Sequence, residues 1–506
     1  MSTTLLLSCV IGYFILLIVI GFITSRKSDN NSFYIGNRNS NWALVAYGMI
    51  GASLSGVTFI SVPGAVGTGA WSYLQMVLGY VLGYLVIAKV LLPLYYKMNL
   101  TSIYTYLQNR FGFWSYKTGS VYFLISRIIG ASFRLFLVAM VLDRFILSQY
   151  GISFEMTVAL TIVLIWIYSF KGGIKTIVYT DTLQTTFMLV SAIAVVIFIA
   201  SDLDWSASQT MREVLSSSYA KTFHWEWSEG SHFVKMFLSG MLITIVMTGL
   251  DQDMMQKNLS CKNIGDAQKN IYWMSSALVI VNVLFLALGA MLYLYAEQKG
   301  IGGLNMDSTG ALVGDCNLLL DGECYKKDQL FPFLSVTHFP PFVGVCFILG
   351  LMAAAYSSAD SALTALTTSF CVDILPQDEA TIPKRTRYGV HIGFSVVLLI
   401  VIIIFKNLND DSVINNLFKA AGYTYGPLLG MFFFGIITKL KPKDSLIPII
   451  CIAAPILTYI IDAQLSAHNF KLGFLILLLN GALTWIGLYI ASLMNSNSVK
   501  DPLKTN

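Results

Sequence analysis

Charge is scarce in this 506-residue chain. Asp, Glu, Lys and Arg together make up 12% of it, against about 25% in a soluble domain. Histidine is scarcer still. His224, His232, His338, His391 and His468 are scattered and show no ligand spacing, which excludes a histidine-built metal site of the usual kind. The seven cysteines contain no CxxC pair. No GxxxxGK[ST] loop, HExxH helix or GxSxG elbow occurs, so phosphate-loop, zinc-hydrolase and serine-hydrolase chemistries lack their signatures. The net charge of +5 is small and belongs to loops between apolar segments, not to a nucleic-acid surface. These absences point away from an enzyme and from a nucleic-acid partner.

Apolar sequence fills the space, at 56% hydrophobic. The expected class is an all-α integral membrane protein lying in a lipid bilayer, as one polytopic unit. About thirteen spans can be drawn, over 4–24, 42–66, 71–95, 118–147, 153–169, 175–200, 233–256, 270–297, 339–371, 387–405, 415–438, 445–462 and 470–494. The first run is followed by Arg26 and Lys27 and shows no cleavage pattern, so it reads as a retained helix. Basic residues crowd alternate loops. Arg26, Lys27, Arg38, Lys97, Arg110, Lys117, Lys171, Lys175, Lys257, Lys262, Lys269, Lys384, Arg385, Arg387, Lys439, Lys441, Lys443, Lys500 and Lys504 fall in one set, against Arg212, Lys221, Lys299, Lys326, Lys327, Lys406 and Lys471 in the other. The positive-inside rule then puts the N-terminus outside and the C-terminus in the cytoplasm. Cys9, Cys346, Cys371 and Cys451 fall in apolar helices and read as packing residues. Cys316 and Cys324 fall in an outer loop, 299–330, where spacing alone leaves a disulfide and two free thiols equally open. Residues 201–232 carry Trp205, Trp225 and Trp227 among scattered charge, which suits a short interfacial helix.

Two spans are interrupted. One reads AYGMIGASLSGVTFISVPGAVGTG, with Gly48, Gly51, Gly56, Pro63 and Gly64; the other reads ITIVMTGLDQDMMQ, with Gly249 beside Asp251. Broken helices at membrane depth are tolerated where they line a cavity or are buried in protein. A matching pair in two halves points to an inverted-repeat secondary transporter. The division drawn is an extra helix and loop at 1–39, repeats at 40–200 and 231–440, accessory helices at 441–495 and a polar tail at 496–506.

The stretch LMAAAYSSADSALTALTTS (351–369) sets Ser357, Asp360, Ser361, Thr364 and Thr368 on one helical face. A carboxylate among hydroxyls suits a hard cation, although small polar residues also pack helices together. At 1.5 Å per residue, Gly51 lies about 14 Å, Asp181 about 9 Å and Asp360 about 16 Å from the inner face. All three reach the same inner half of the membrane, so the carbonyls at Gly51–Leu54, the hydroxyls of Ser357 and Ser358, and the two carboxylates could share one ion pathway. A solute is expected between the broken helices. Ser53, Ser55 and Thr58 are candidates, with Tyr73, Gln75 and Asp251 behind them. Arg127 and Arg134 lie near mid-membrane. Arg134 could clamp a carboxylate bidentately or form a structural ion pair with Asp251 or Asp181. Lys419 and Tyr423 to Tyr425 could line a vestibule or gate it, with snorkelling the simpler reading for Lys419.

At these residues the sequence resembles the sodium/solute symporter family, which includes sodium–glucose, sodium–sialic acid and sodium–proline cotransporters. The likeness covers about 1–495. Its carriers are ASLSGVTFISVPGAVGTGAW (52–71), FKGGIKTIVYTDTLQ (170–184), LDQDMMQKNLSCKNIGDAQK (250–269), GLMAAAYSSADSALTALTTSF (350–370) and GYTYGPLLGMFFFG (422–435). The resemblance implies a LeuT-type 5+5 inverted repeat. It implies a first Na+ site at Gly51, Leu54, Ala354, Ser357 and Ser358. Some members bind a second sodium, which here would use Asp181, Ser357, Asp360 and Ser361. Hydroxyl-only members have Ser where this chain has Asp360, a group that could strengthen cation binding or take a proton. Sialic acid carriers use an arginine on the Arg134 helix, at a register falling nearer Gly130. The implied activity is sodium-coupled import, across a bacterial inner membrane or plasma membrane, of a sugar, an acidic sugar such as sialic acid, or another small carboxylate. A proton-coupled carrier using Asp181 or Asp360 is the alternative, with proline-like or vitamin transport behind it. A monomer is expected.

Overall fold

In hydrocarbon, backbone amides must bond within their own segment, so apolar runs become helices. The computed structural model describes residues 3–24, 33–34, 36–169, 173–306, 312–313, 316–375, 382–408 and 413–494. Arg26, Lys27, Lys171 and the tail at 496–506, all used in the sequence reading, lie outside them. In chain order the long helices are α1 (Thr3–Thr24), α2 (Trp42–Gly69), α3 (Ser72–Val86), α4 (Phe113–Leu142), α5 (Phe154–Ser169) and α6 (Ile174–Asp202). The short, strongly amphipathic α7 (Ala207–Ser216) follows, in the Trp-rich segment expected to hold such a helix. Then come α8 (Phe233–Thr244), α9 (Gln252–Leu259), α10 (Ile264–Gln298), α11 (Pro341–Ser369), α12 (Lys384–Leu408), α13 (Val413–Thr424), α14 (Gly426–Ile437), α15 (Ile447–Ala467) and α16 (Ile476–Leu493).

Among the described residues ten helices are long and apolar enough to cross a membrane, and two bent pairs raise this to twelve. The apolar part of α5, Phe154–Ile167, is shorter. One bent pair is the anticipated break between Phe233–Gly249 and α9, at 64°. The other corrects the sequence reading. Residues 415–438 were drawn as one span, but α13 and α14 meet at 47°. Pro427 supplies the reason, since it has no amide to give the Tyr423 carbonyl four residues back, and Asn480 donates instead to the carbonyls of Gly422 and Tyr423.

Helix α10 packs along one side of α2 together with α3, and α3 in turn holds α8; α6 and α11 pack on the other side of α2. α4 backs α11 and also touches α12 and α13. α2 is thus the shared wall between two groups, and most of it is buried. Three short antiparallel strands, β1 (Gly302–Leu304), β2 (Leu318–Leu320) and β3 (Glu323–Tyr325), form a meander between α10 and α11. A disulfide joins Cys316 to Cys324 across its end, which settles the choice that spacing left open. This end of the molecule is called the meander face below.

Candidate functional site

The break in α2 is a single residue. Ser55 holds φ 45° and ψ 173° inside an otherwise helical run. A carbonyl in a helix is satisfied by the amide four residues on, so a turn at Ser55 interrupts the ladder for the carbonyls of Gly51 to Leu54. Gly56, next to the break, lies against Ala355 of α11 and the carbonyl of Arg134 on α4. The interrupted turn therefore faces the turn Ala354–Ser358. Gly48 and Gly51 press α2 onto α6. A side chain at Gly48 would strike Asp181, and one at Gly51 would strike Thr185.

Ala354, Ser357, Ser358, Asp360, Ser361 and Thr364 are all buried on α11. The Ser357 hydroxyl donates to Asp181 Oδ1 at 2.7 Å, which leaves its lone pairs free to face a cation. Ser358 makes only a long bond, 3.3 Å, to the Ala354 carbonyl. Hydroxyls, interrupted carbonyls and a carboxylate thus come together where α2, α6 and α11 meet. The second ion position is arranged differently from the sequence expectation. Asp181 Oδ2 is taken by the Lys257 ammonium at 2.7 Å. Asp360 Oδ1 accepts the amide of Ser361 at 2.6 Å, and the Ser361 hydroxyl donates to Asp253.

The second break satisfies its own backbone. Tyr95 donates to the Gly249 carbonyl and Tyr104 to the Leu250 carbonyl, both at 2.9 Å. Asp251 caps α9, accepting the amides of Asp253 and Met254, and accepts the Tyr425 hydroxyl at 2.5 Å. Arg127 pairs with Asp253 and approaches Asp251 at 3.8 Å.

Arg134 has no such partner. It is 7% exposed and makes no hydrogen bond or ion pair with any described residue; its Nε is buried and unpartnered. It lines a cavity of about 80 Å³ together with Ser53, Ser55, Thr58 and Tyr73. The structure thus brings five of the seven solute candidates together and leaves out two. Gln75 is buried and bonds the backbone of Ser72, Ser231 and His224. Asp251 is held by its cap and by Tyr425. Sequence reasoning missed Tyr80, Tyr84, Thr248, Asn282 and Phe418 on the cavity wall. Asn282 had a signal, a lone amide in the apolar run VIVNVLFLAL, and its Oδ1 is buried without a partner. Lys257 had none, since a lysine after a break reads as a loop charge. Tyr73 stacks on Phe418 at 6.4 Å. Beyond this pair a second cavity of about 510 Å³ opens toward the meander face, with Lys327, Lys419 and Lys471 in its wall.

The profile of the sodium:solute symporter family matches residues 33–442. The chain belongs to this family. It is a multi-pass membrane transporter, not an enzyme, and Na+ is its coupling ion. It is 27% identical over 438 residues to the sodium/sialic acid symporter NanT of Aliivibrio fischeri, covering 84% of this chain and 81% of that one. It is 24% identical over 443 residues to the sodium/sialic acid symporter SiaT of Proteus mirabilis, covering 85% and 84%. Its fold matches a sodium-coupled sialic acid symporter solved substrate-bound and outward-open, with a TM-score of 0.79 at 20% identity over 97% and 98% of the chains. The symporter Mhp1, closed around a hydantoin, matches with a TM-score of 0.53 at 14% identity over 92% and 95%. The family member therefore has a LeuT-like fold.

Proposed function

We propose that this symporter imports a small carboxylate-bearing solute, with an acidic sugar such as sialic acid as the first candidate, by alternating access. The observation that carries this is Arg134. A cation near mid-membrane costs about 2.5–3.5 kcal/mol on insertion scales. Arg127 has two carboxylates to offset that cost, whereas Arg134 has only the cavity it lines with three hydroxyl residues. Its planar fork suits a carboxylate, and the hydroxyls of Ser53, Ser55 and Thr58 suit the polyol of a sugar. The names of NanT and SiaT support the same solute class.

The first sodium belongs at Gly51, Leu54, Ala354, Ser357 and Ser358, between α2 and α11. An ion there ties the broken turn of α2 to α11 and so holds the neighbouring cavity in shape for solute. Solute and ion then improve each other's binding, as coupling requires. The meander face is read as the outside, with solute entering through the larger cavity and passing Tyr73 and Phe418. The sodium gradient drives the cycle. Proton coupling through Asp181 is the poorer reading, because its carboxylate already has a lysine partner.

The test is uptake into vesicles holding the purified protein. Sialic acid, neutral sugars, short monocarboxylates, proline and vitamins are compared with sodium or choline outside at fixed pH. Uptake of an acid that needs sodium and is lost in Arg134→Ala is the expected result. Uptake unchanged by choline overturns sodium coupling, and a neutral solute unaffected by Arg134→Ala overturns the carboxylate assignment.

A further inference from the structure

The ion pair between Lys257 and Asp181 lies where the family resemblance sets a second sodium. Nζ stands 2.7 Å from Oδ2, and both side chains are at most 2% exposed. The other carboxylate oxygen receives the Ser357 hydroxyl at 2.7 Å, so both oxygens of Asp181 are engaged. Of the remaining members of that position, Ser361 turns its hydroxyl to Asp253, and Asp360 Oδ1 receives the Ser361 amide. A sodium drawn to Asp181 would sit within a few ångström of the ammonium. Two unit charges ~4 Å apart in a partly polarisable interior weaken each other's binding by roughly a thousandfold.

We propose that Lys257 is a tethered cation that fills the carboxylate end of the second ion position, so that this symporter moves one sodium per cycle. The proposal rests on the first-site reading given above, since it needs a sodium site that remains when the second is closed. The ammonium supplies at Asp181 the charge that a second ion would bring, and covalent attachment makes it ever present. It also links α6, which carries Asp181, to α9 beyond the second break. Ser357 belongs to both proposed positions: its hydroxyl proton goes to Asp181, while its lone pairs serve the first ion.

The experiment counts sodium. Radioactive sodium binding to purified protein gives ions per chain, and the reversal potential of solute flux in vesicles gives charge per cycle. Wild type is expected to bind one sodium, and Ser358→Ala to bind it roughly tenfold more weakly. Lys257→Met removes the charge at similar volume and is expected to add a second bound sodium and a steeper sodium activation curve. Lys257→Arg keeps the charge and is expected to stay at one. If Lys257→Met does not fold, Lys257→Gln, which keeps a donor on Asp181, carries the same expectation. Two sodium ions in wild type overturn the proposal without any variant, and so does a count of one in folded Lys257→Met or Lys257→Gln. A wild type that binds no sodium at all sinks the first-site reading instead, so the two failures are distinguishable.

Discussion

Arg127 and Arg134 lie two turns apart on α4 and have opposite surroundings. Arg127 is bound by Asp253 and Asp251, whereas Arg134 makes no hydrogen bond or ion pair with any described residue. Breaking a buried pair by removing one partner costs about 3–5 kcal/mol. Arg127→Ala should therefore lower the detergent melting temperature sharply, with Arg127→Ala/Asp253→Ala less damaged than the single variant. Arg134→Ala should melt within a few degrees of wild type, because no native partner is stranded. Its KM for the acid should rise by ~10²-fold or more, since truncating one side of a buried charged contact costs about 2–5 kcal/mol. Equal melting of the two variants would contradict this division of roles. Ser358→Ala removes a hydroxyl worth about 1–2 kcal/mol, and the sodium concentration giving half-maximal uptake should rise roughly tenfold. Both arginines were visible in the sequence as misplaced charges. Which one was paired was not, because the pairing depends on how far Asp253 reaches across from another helix.

Two helix breaks set the geometry by different means. In α2 the break is one residue in the left-handed region, Ser55. Glycine adopts that conformation freely and β-branched residues do so at a cost. Ser55→Gly should preserve stability to about 0.5 kcal/mol, whereas Ser55→Val should lose both expression and transport. At the second break the chain turns by 64°, and tyrosines of neighbouring elements take the exposed carbonyls. Tyr104→Phe should cost about 1–3 kcal/mol, read by thermal unfolding, because the Leu250 carbonyl is stranded without water. The glycines that interrupt these spans made both breaks legible from sequence. The bend before α14 was missed, since α13 and α14 read as one apolar run and only Gly426-Pro427 marked the join.

At the scale of the whole molecule, access is asymmetric. Toward the meander face the small cavity is separated from the larger one by Tyr73 stacked on Phe418. On the other side of the break, Arg127, Asp251, Asp253, Ser361 and Tyr425 tie α4, α9, α11 and the α13–α14 junction together. Lys257 and Asp181 add α6 to that closure. Loosening it should favour the opposite conformation. Ser466→Cys in the larger cavity should be modified by a charged thiol reagent quickly in the wild-type background with sodium. In the Arg127→Ala/Asp253→Ala background modification should slow several-fold. Equal rates would show that this network does not hold the closed side.

The sequence alone determined the membrane class, the broken spans and the polar stripe on α11. It could do so because hydrocarbon penalises every unpaired backbone group and every charge, so departures from apolar helix stand out in one dimension. Rise per residue also set Gly51, Asp181 and Asp360 in the same inner half of the membrane before any contact was known. Only the tertiary structure decided which charges meet. Lys257 read as a loop cation, yet it is the buried partner of Asp181, and Asp253 is the buried partner of Arg127. The physical reason is that an ion pair between helices depends on the angle and depth at which they cross. The 64° turn after Gly249 carries α9 inward beneath α2, α6 and α11, and local sequence has no term for that crossing.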